Sequence, residues 1–343
     1  MKRKHTMAFG AEPVEGGTRF SLWAPKPGRV SLVLGRGEVR KFPMQRGPGG
    51  WHRLVVSDAP AGTAYAFDVG EGDPVPDPAS RSNPWDVNGP SAVVDAAAFE
   101  WDDGSWCGRP WHEAVVYELH IGTFTPEGTF AAATDKLDHL ASTGFTALEV
   151  MPVSDFCGAR NWGYDGVLHY APDSAYGTPE DFKRFIAAAH RRALMVLLDV
   201  VYNHFGPEGN HLSRYAPQFF NEARQTPWGA AINFDGEHSE VVRDFFVQNA
   251  LYWVNEYHLD GLRLDAIHAI HDESQRHVVR EIAHALDEGP RRERHVHLVV
   301  ENEHNSAAIL DPSRGEPHAT AQWGDDWHHA AHVLLTGEKD GYY

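Results

Sequence analysis

Between residue 8 and about residue 95 the apolar positions come in short alternating runs, interrupted every few residues by Gly and Pro. Thr18–Trp23, Val30–Leu34 and Ala64–Val69 each follow this rhythm, which puts successive side chains on opposite faces of a strand. Clusters such as Gly47-Pro48-Gly49-Gly50 separate the runs. Strands of this length and spacing predict an all-β sandwich over residues 8–95. The stretch from Pro74 to Pro90, rich in Pro, Asn and Ser, reads as the exit from that unit, and residues 96–110 as a linker.

From Val115 the pattern changes. Short apolar runs at Val115–Leu119, Ala147–Val150, Leu194–Val201, Gly261–Asp265 and Val296–Glu301 are strand candidates, with Ala319–Trp323 as a sixth. Between them the periodicity predicts helices over Phe130–Ser142, from Thr178 to about Arg192, over Ser239–Tyr257 and over Glu273–Leu286. Thr178-Pro179-Glu180-Asp181 combines a hydroxyl cap, Pro at the first helical position and an acid three residues after the cap. Apolar strands alternating with helices indicate parallel βα units. Polar residues collect at the strand C-terminal ends, and no Gly-rich phosphate loop follows any strand. That favours a (β/α)8 TIM barrel over an open doubly wound sheet. Six strand candidates stand against the eight of a complete barrel, so residues 111–343 are expected to form a partial barrel, cut short after about six strands.

Composition narrows the chemistry by exclusion. At 343 residues the chain exceeds the usual size of one core, which fits two units. A net charge of −18, from 48 acids against 30 bases, argues against nucleic acid or an anionic membrane as the main partner. Two cysteines make no disulfide framework, and the 22 histidines are scattered rather than gathered as metal ligands, so neither a metal nor an organic cofactor is expected. The basic N-terminus is not followed by an apolar signal core, and no apolar run approaches the ~18 residues of a membrane span. A cytoplasmic protein is the resulting expectation.

The strand ends carry the candidate chemistry. Asp199, Asn203 and His204 follow or close the third strand, Arg263 and Asp265 the fourth, and Glu301 the fifth. Two carboxylates at the mouths of adjacent strands meet the need of acetal hydrolysis: one acid protonates the leaving oxygen, and one carboxylate meets the developing oxocarbenium ion. Arg263, two residues before Asp265, shares its face and would keep it ionised. Glu301 must instead hold a proton near neutral pH.

Asp199-Val200-Val201-Tyr202-Asn203-His204, Gly261-Leu262-Arg263-Leu264-Asp265-Ala266 and Val299-Val300-Glu301-Asn302 resemble, in order and spacing, the first three signature segments of the α-amylase superfamily. The resemblance implies a retaining glycoside hydrolase with Asp265 as nucleophile and Glu301 as acid/base. Arg263 would contact the nucleophile and His204 the sugar, with Asn203 and Asp199 supporting the loop. Tyr164, in Asn161-Trp162-Gly163-Tyr164-Asp165, corresponds to a tyrosine that stacks under that sugar. Trp162 is either a further sugar platform or a packing residue, and His268 either lines the leaving-group side or is structural. The fourth signature segment, which brings a third carboxylate, is absent; Asp325 and Asp326 come too early for it.

Within the superfamily, Tyr202–Asn210, Leu264–Ile270 and Gln322–His329 resemble the trehalohydrolase branch. That implies cleavage of the α-1,4 bond beside a terminal trehalose in maltooligosyltrehalose, with related α-1,4-glucans as further ligands. Two rivals remain: a branching or debranching enzyme using the same acids, and a glucan-binding piece left inactive because the seventh-strand carboxylate is missing.

Overall fold

The computed structural model describes residues 1–2, 4–70 and 72–341, so the last two residues of the expected 111–343 unit lie outside the described residues. The alternating runs of the N-terminal part form two four-stranded antiparallel sheets. One orders Gly10–Val14, Gly17–Trp23, Trp51–Val56 and Gln45–Arg46; the other Arg40–Pro43, Ser31–Leu34, Ala64–Asp68 and Ser91–Ala92. Their inward positions meet as a sandwich core, with Phe20 of the first sheet edge-on to Tyr65 of the second at 5.0 Å. The first hairpin depends on Gly17 (φ 147°), where a Cβ would lie 2.3 Å from the Val56 carbonyl oxygen.

The second unit is a curled, all-parallel sheet. Its strands are β1 (Val116–Leu119), β2 (Ala147–Val150), β3 (Met195–Val200), β4 (Gly261–Leu264), β5 (His297–Glu301) and β6 (Ala321–Trp323), paired in chain order. This is six strands of a TIM barrel, as the apolar runs predict, and strands β2 to β4 are buried along their whole length. Helices cover the outer face: α1 (Phe130–Thr134), α2 (Leu137–Ser142), α3 (Pro179–His190), α4 (Ser239–Glu256) and α5 (Val278–Glu288); α6 (Asp325–Thr336) follows β6 at the mouth and buries none of its residues. The capping box at α3 is formed, Thr178 and Asp181 each bonding the other's backbone N–H. Among the described residues, no helix is long and apolar enough to cross a membrane.

Two helix expectations need correction. The helix over Phe130–Ser142 is two short helices, because the chain tightens into a three-residue contact, Lys136 N–H to Ala133 O at 3.0 Å. The helix expected from Glu273 starts at Val278. Asp272 accepts from Ser274 N–H and Val278 N–H and pairs with Arg243, which holds the intervening residues in a turn. The segment 96–110, read as a linker, is fixed to the base of the barrel. Asp103 bonds His190 at 2.9 Å and His258 at 2.9 Å, and Trp106 Nε1 donates to Asp260 at 2.8 Å. Arg294 completes this buried group on Asp260 at 3.2 Å.

The two units share one continuous core. Phe9 of the sandwich meets Phe245 of α4 edge-on at 5.3 Å, and buried Arg81 faces Glu256 at 3.5 Å. A hairpin between β3 and β4, Phe220–Thr226 with Gly229–Ile232, carries Trp228 at its turn.

Candidate active site

Register explains why the strand ends converge. Asp199 of β3 lies directly opposite Arg263 of β4, and partners in a parallel pair point to the same face of the sheet. Arg263 Nη1 lies 3.0 and 2.9 Å from the two oxygens of Asp199 and 2.9 Å from Asp265 Oδ1. Its Nη2 lies 3.1 Å from Glu301 Oε2. One planar guanidinium therefore ties together three carboxylates from three adjacent strands. Asp265 follows β4 and extends its ladder through Asp265 N–H to Val200 O at 3.0 Å. The next residue, Ala266, is left-handed (φ 41°) and donates its N–H to Glu301 Oε2 at 2.8 Å.

The loop after β3 supplies the next contacts. Asn203 Nδ2 donates to Asp265 Oδ2 at 2.8 Å and to Asp265 O at 2.9 Å. Its oxygen meets His204 Nδ1, whose Nε2 faces the Tyr164 carbonyl at 2.8 Å. Burial lowers the His204 pKa, so the neutral ring donates to one of these two acceptors. Tyr164 OH donates to Asp199 Oδ2 at 3.0 Å. Asn203 and Asp199 thus bind the Asp265–Arg263 pair itself and do more than hold a loop.

Two further residues line the approaches. Trp162 is 70% exposed beside His120, in a cavity of about 520 Å³ that includes Tyr176. His268 and Glu301 share a cavity of about 640 Å³ with Glu118, Trp323 and Trp327. His268 Nδ1 accepts from Glu303 N–H at 3.3 Å. His328 and His329, on α6, line the same space.

The electrostatics separate the groups. Burial pushes Asp199 up to about 7, against the pull of Arg263. Burial also raises Glu301, opposed by Arg263 and the Ala266 N–H and reinforced by Asp265. Burial alone would lower Arg263, but Asp199, Glu301 and Asp265 outweigh it and keep the guanidinium charged. Burial raises Tyr164, and Asp199 adds to the effect, so its hydroxyl acts as a donor.

The sequence reading missed two residues. Trp228 stacks on His204 at 4.7 Å and 9° and is half exposed at the mouth. Its hairpin position gave no periodic signal. Glu149, on β2, is fully buried with its carboxyl 4.0 Å from Arg263 Nε. A single acid inside the apolar run Ala147–Val150 was the available signal. Among the described residues, no group of three His, Cys, Asp or Glu side chains is placed to hold a metal ion.

An N-terminal sandwich followed by a parallel βα sheet, with Arg263 and Asp265 at the fourth strand and Glu301 at the fifth, is the arrangement of the α-amylase family of glycoside hydrolases. The chain belongs to that family. Residues 95–246 match the α-amylase catalytic domain, and residues 8–85 match carbohydrate-binding module 48, the isoamylase N-terminal domain. Its relatives are more particular. The chain is 42% identical over 339 residues to a malto-oligosyltrehalose trehalohydrolase of Saccharolobus solfataricus, covering 98% of this chain and 59% of that protein. It is 44% identical over 348 residues to one from Rhizobium sp., covering 97% and 57%. A crystal structure of an alpha-amylase candidate from Salmonella typhimurium superimposes with a TM-score of 0.93 at 50% identity, covering 98% of this chain and 57% of that one. The chain therefore spans a little under three fifths of the length of these relatives.

Proposed function

We propose that the protein acts on maltooligosyltrehalose as a retaining hydrolase, cleaving the α-1,4 bond next to the terminal trehalose. The observation that carries this reading is the Arg263 bridge. A single guanidinium in contact with both Asp265 and Glu301 gathers the two carboxyls at one site, as the paired acids of a glycosidase require. Names carried by the trehalohydrolase relatives support the substrate. The acidic chain suits a neutral glucan better than a polyanion.

In the first step Asp265 Oδ2 or Oδ1 bonds to the anomeric carbon as the C1–O bond breaks, and Glu301 gives its proton to the leaving trehalose oxygen. In the second step Glu301, now ionised, takes a proton from water. The hydroxide oxygen bonds to C1 and the ester to Asp265 breaks, so the configuration is retained. Tyr164 and His204 border the sugar from one side; Trp228 extends that wall.

The test is trehalose release from maltopentaosyltrehalose, with maltoheptaose as the comparison and the product anomer followed by proton NMR. Trehalose from the first substrate only, with the α-anomer of the glucan appearing first, supports the reading. New α-1,6 linkages without trehalose would point to a branching enzyme. A β-anomer first would overturn the retaining mechanism.

A further inference from the structure

Arg263 uses two of its three nitrogens on the carboxylates of the mouth. The third, Nε, is buried and has no hydrogen bond among the described residues. Facing it at 4.0 Å is Glu149 Oε1, and neither Glu149 oxygen has a hydrogen-bond partner among the described residues. A buried donor and a buried carboxyl, both unsatisfied and pointed at each other, are a costly arrangement unless they meet in some state of the protein. Hydrogen-bond distance is ~3 Å, so a slide of about 1 Å by the guanidinium would join them. The same slide would loosen Nη1 and Nη2 from Asp265 and Glu301.

The surroundings of Glu149 are fixed by the sheet. On β2 its neighbours are Glu118 of β1 and Leu197 of β3. Asp199 lies two residues beyond Leu197, on the same face and one layer nearer the mouth. Arg263 comes from β4, and through it Asp265 and Glu301; the Trp323 indole of β6 lies alongside the carboxyl without hydrogen-bond geometry.

We propose that Glu149 is a positioning residue for the catalytic pair: from the layer beneath, it sets where the Arg263 guanidinium rests between Asp265 and Glu301. This rests on the reading of those two acids as the reacting pair. Burial, then the neighbouring Asp199, push Glu149 up to about 8, against the pull of Arg263. Near neutral pH Glu149 is therefore protonated, and the guanidinium sits forward on the catalytic acids. As Glu149 ionises, it draws Nε inward and adds a negative charge behind Glu301, which makes Glu301 hold its proton to higher pH.

The experiment follows the Arg263 Nε–H resonance across pH in the parent, in Glu149→Gln and in Glu149→Leu, assigned by its loss in Arg263→Lys. The expected result is a shift with a midpoint near pH 8 in the parent and none in either variant. An identical titration in Glu149→Gln, or none in the parent, overturns the proposal. Glucan hydrolysis is read in parallel. Glu149→Gln should keep the parent kcat at neutral pH within about threefold, while its alkaline limb of kcat/KM moves down by roughly half a pH unit. Glu149→Leu should lose about tenfold in kcat without losing its thermal transition. Full kcat in Glu149→Leu, or superimposable pH profiles, would sink the positioning role. If no form of the chain hydrolyses glucan, the proposed function fails, while the resonance still decides the place of Glu149.

Discussion

The backbone N–H of Ala266 donates to Glu301 Oε2 at 2.8 Å from a left-handed residue, so the peptide that follows Asp265 also holds Glu301. A non-glycine residue at φ 41° is uncommon and strained, and strain of this kind persists only where its surroundings impose it. Here they are the β4 ladder on one side and Glu301 on the other.

Ala266→Val should therefore be costly beyond its size. A β-branched residue fits this conformation worse than Ala, by roughly 1–2 kcal/mol. Thermal melts are expected to show a lower midpoint, and hydrolysis a lower kcat with little change in KM. Ala266→Gly, which relaxes the strain and keeps the N–H, should retain both. A valine variant as stable as the parent would remove the strain argument.

Arg263→Leu leaves three carboxylates from β3, β4 and β5 without their cation. The folded pKa values of Asp199 and Glu301 then rise further above their unfolded values. Such a group is harmless to stability below its unfolded pKa and costs progressively more as pH rises through the folded one. The variant should thus be destabilised by about 3–5 kcal/mol at pH 8 and by much less at pH 5, as urea melts would show. A loss that is equal at both pH values would contradict the electrostatic account. Arg263→Lys, a point charge that cannot fork, should lower kcat by about a hundredfold.

Trp228→Ala should weaken glucan binding while sparing the chemistry, because the indole stacks on His204 and touches neither acid. A KM raised about tenfold, roughly 1.4 kcal/mol, with a smaller change in kcat is the expected pattern. A fall in kcat at constant KM would instead place Trp228 in the reaction step.

The buried group at the barrel base should give a bell in stability. Burial acts against charge on both Asp103 and His190. Hydrogen bonds from His190 and His258 overcome it at Asp103, lowering it from 3.8, while the charge of Asp260 and the bond to Asp103 raise His190 from 6.5. The depressed acid contributes above about 3.8 and loses its contribution as pH falls through its folded value. The raised histidine contributes fully below 6.5 and loses it as pH climbs through its folded value. Asp103→Asn should accordingly cost most between those limits, about 3 kcal/mol, with the gap narrowing at alkaline pH. A gap that is flat with pH would show that the pair is not ionised.

Much of the site was legible because its residues sit at fixed spacings on elements with strong local signals. Arg263 and Asp265 share a face by strand period alone, and Asp199, Asn203 and His204 follow one buried strand. Periodicity likewise gave the sandwich, the six parallel strands and the Thr178 cap, since each depends on neighbours within one or two turns. Helix ends fared worse: the Asp272 turn that delays α5 is set partly by Arg243, a residue 29 positions away in the chain.

Tertiary structure decided the rest. That one guanidinium serves three carboxylates follows from the β3–β4–β5 register, a long-range pairing that no local pattern encodes. The docking of segment 96–110 rests on Asp103 meeting His258, 155 residues on, and Glu149 acquires its meaning only from the unsatisfied Arg263 Nε opposite it. Local sequence determined which faces are apolar and where the acids fall along each strand. Which acids share a cation, and which are stranded without a hydrogen bond, depends on the distances that folding imposes between them.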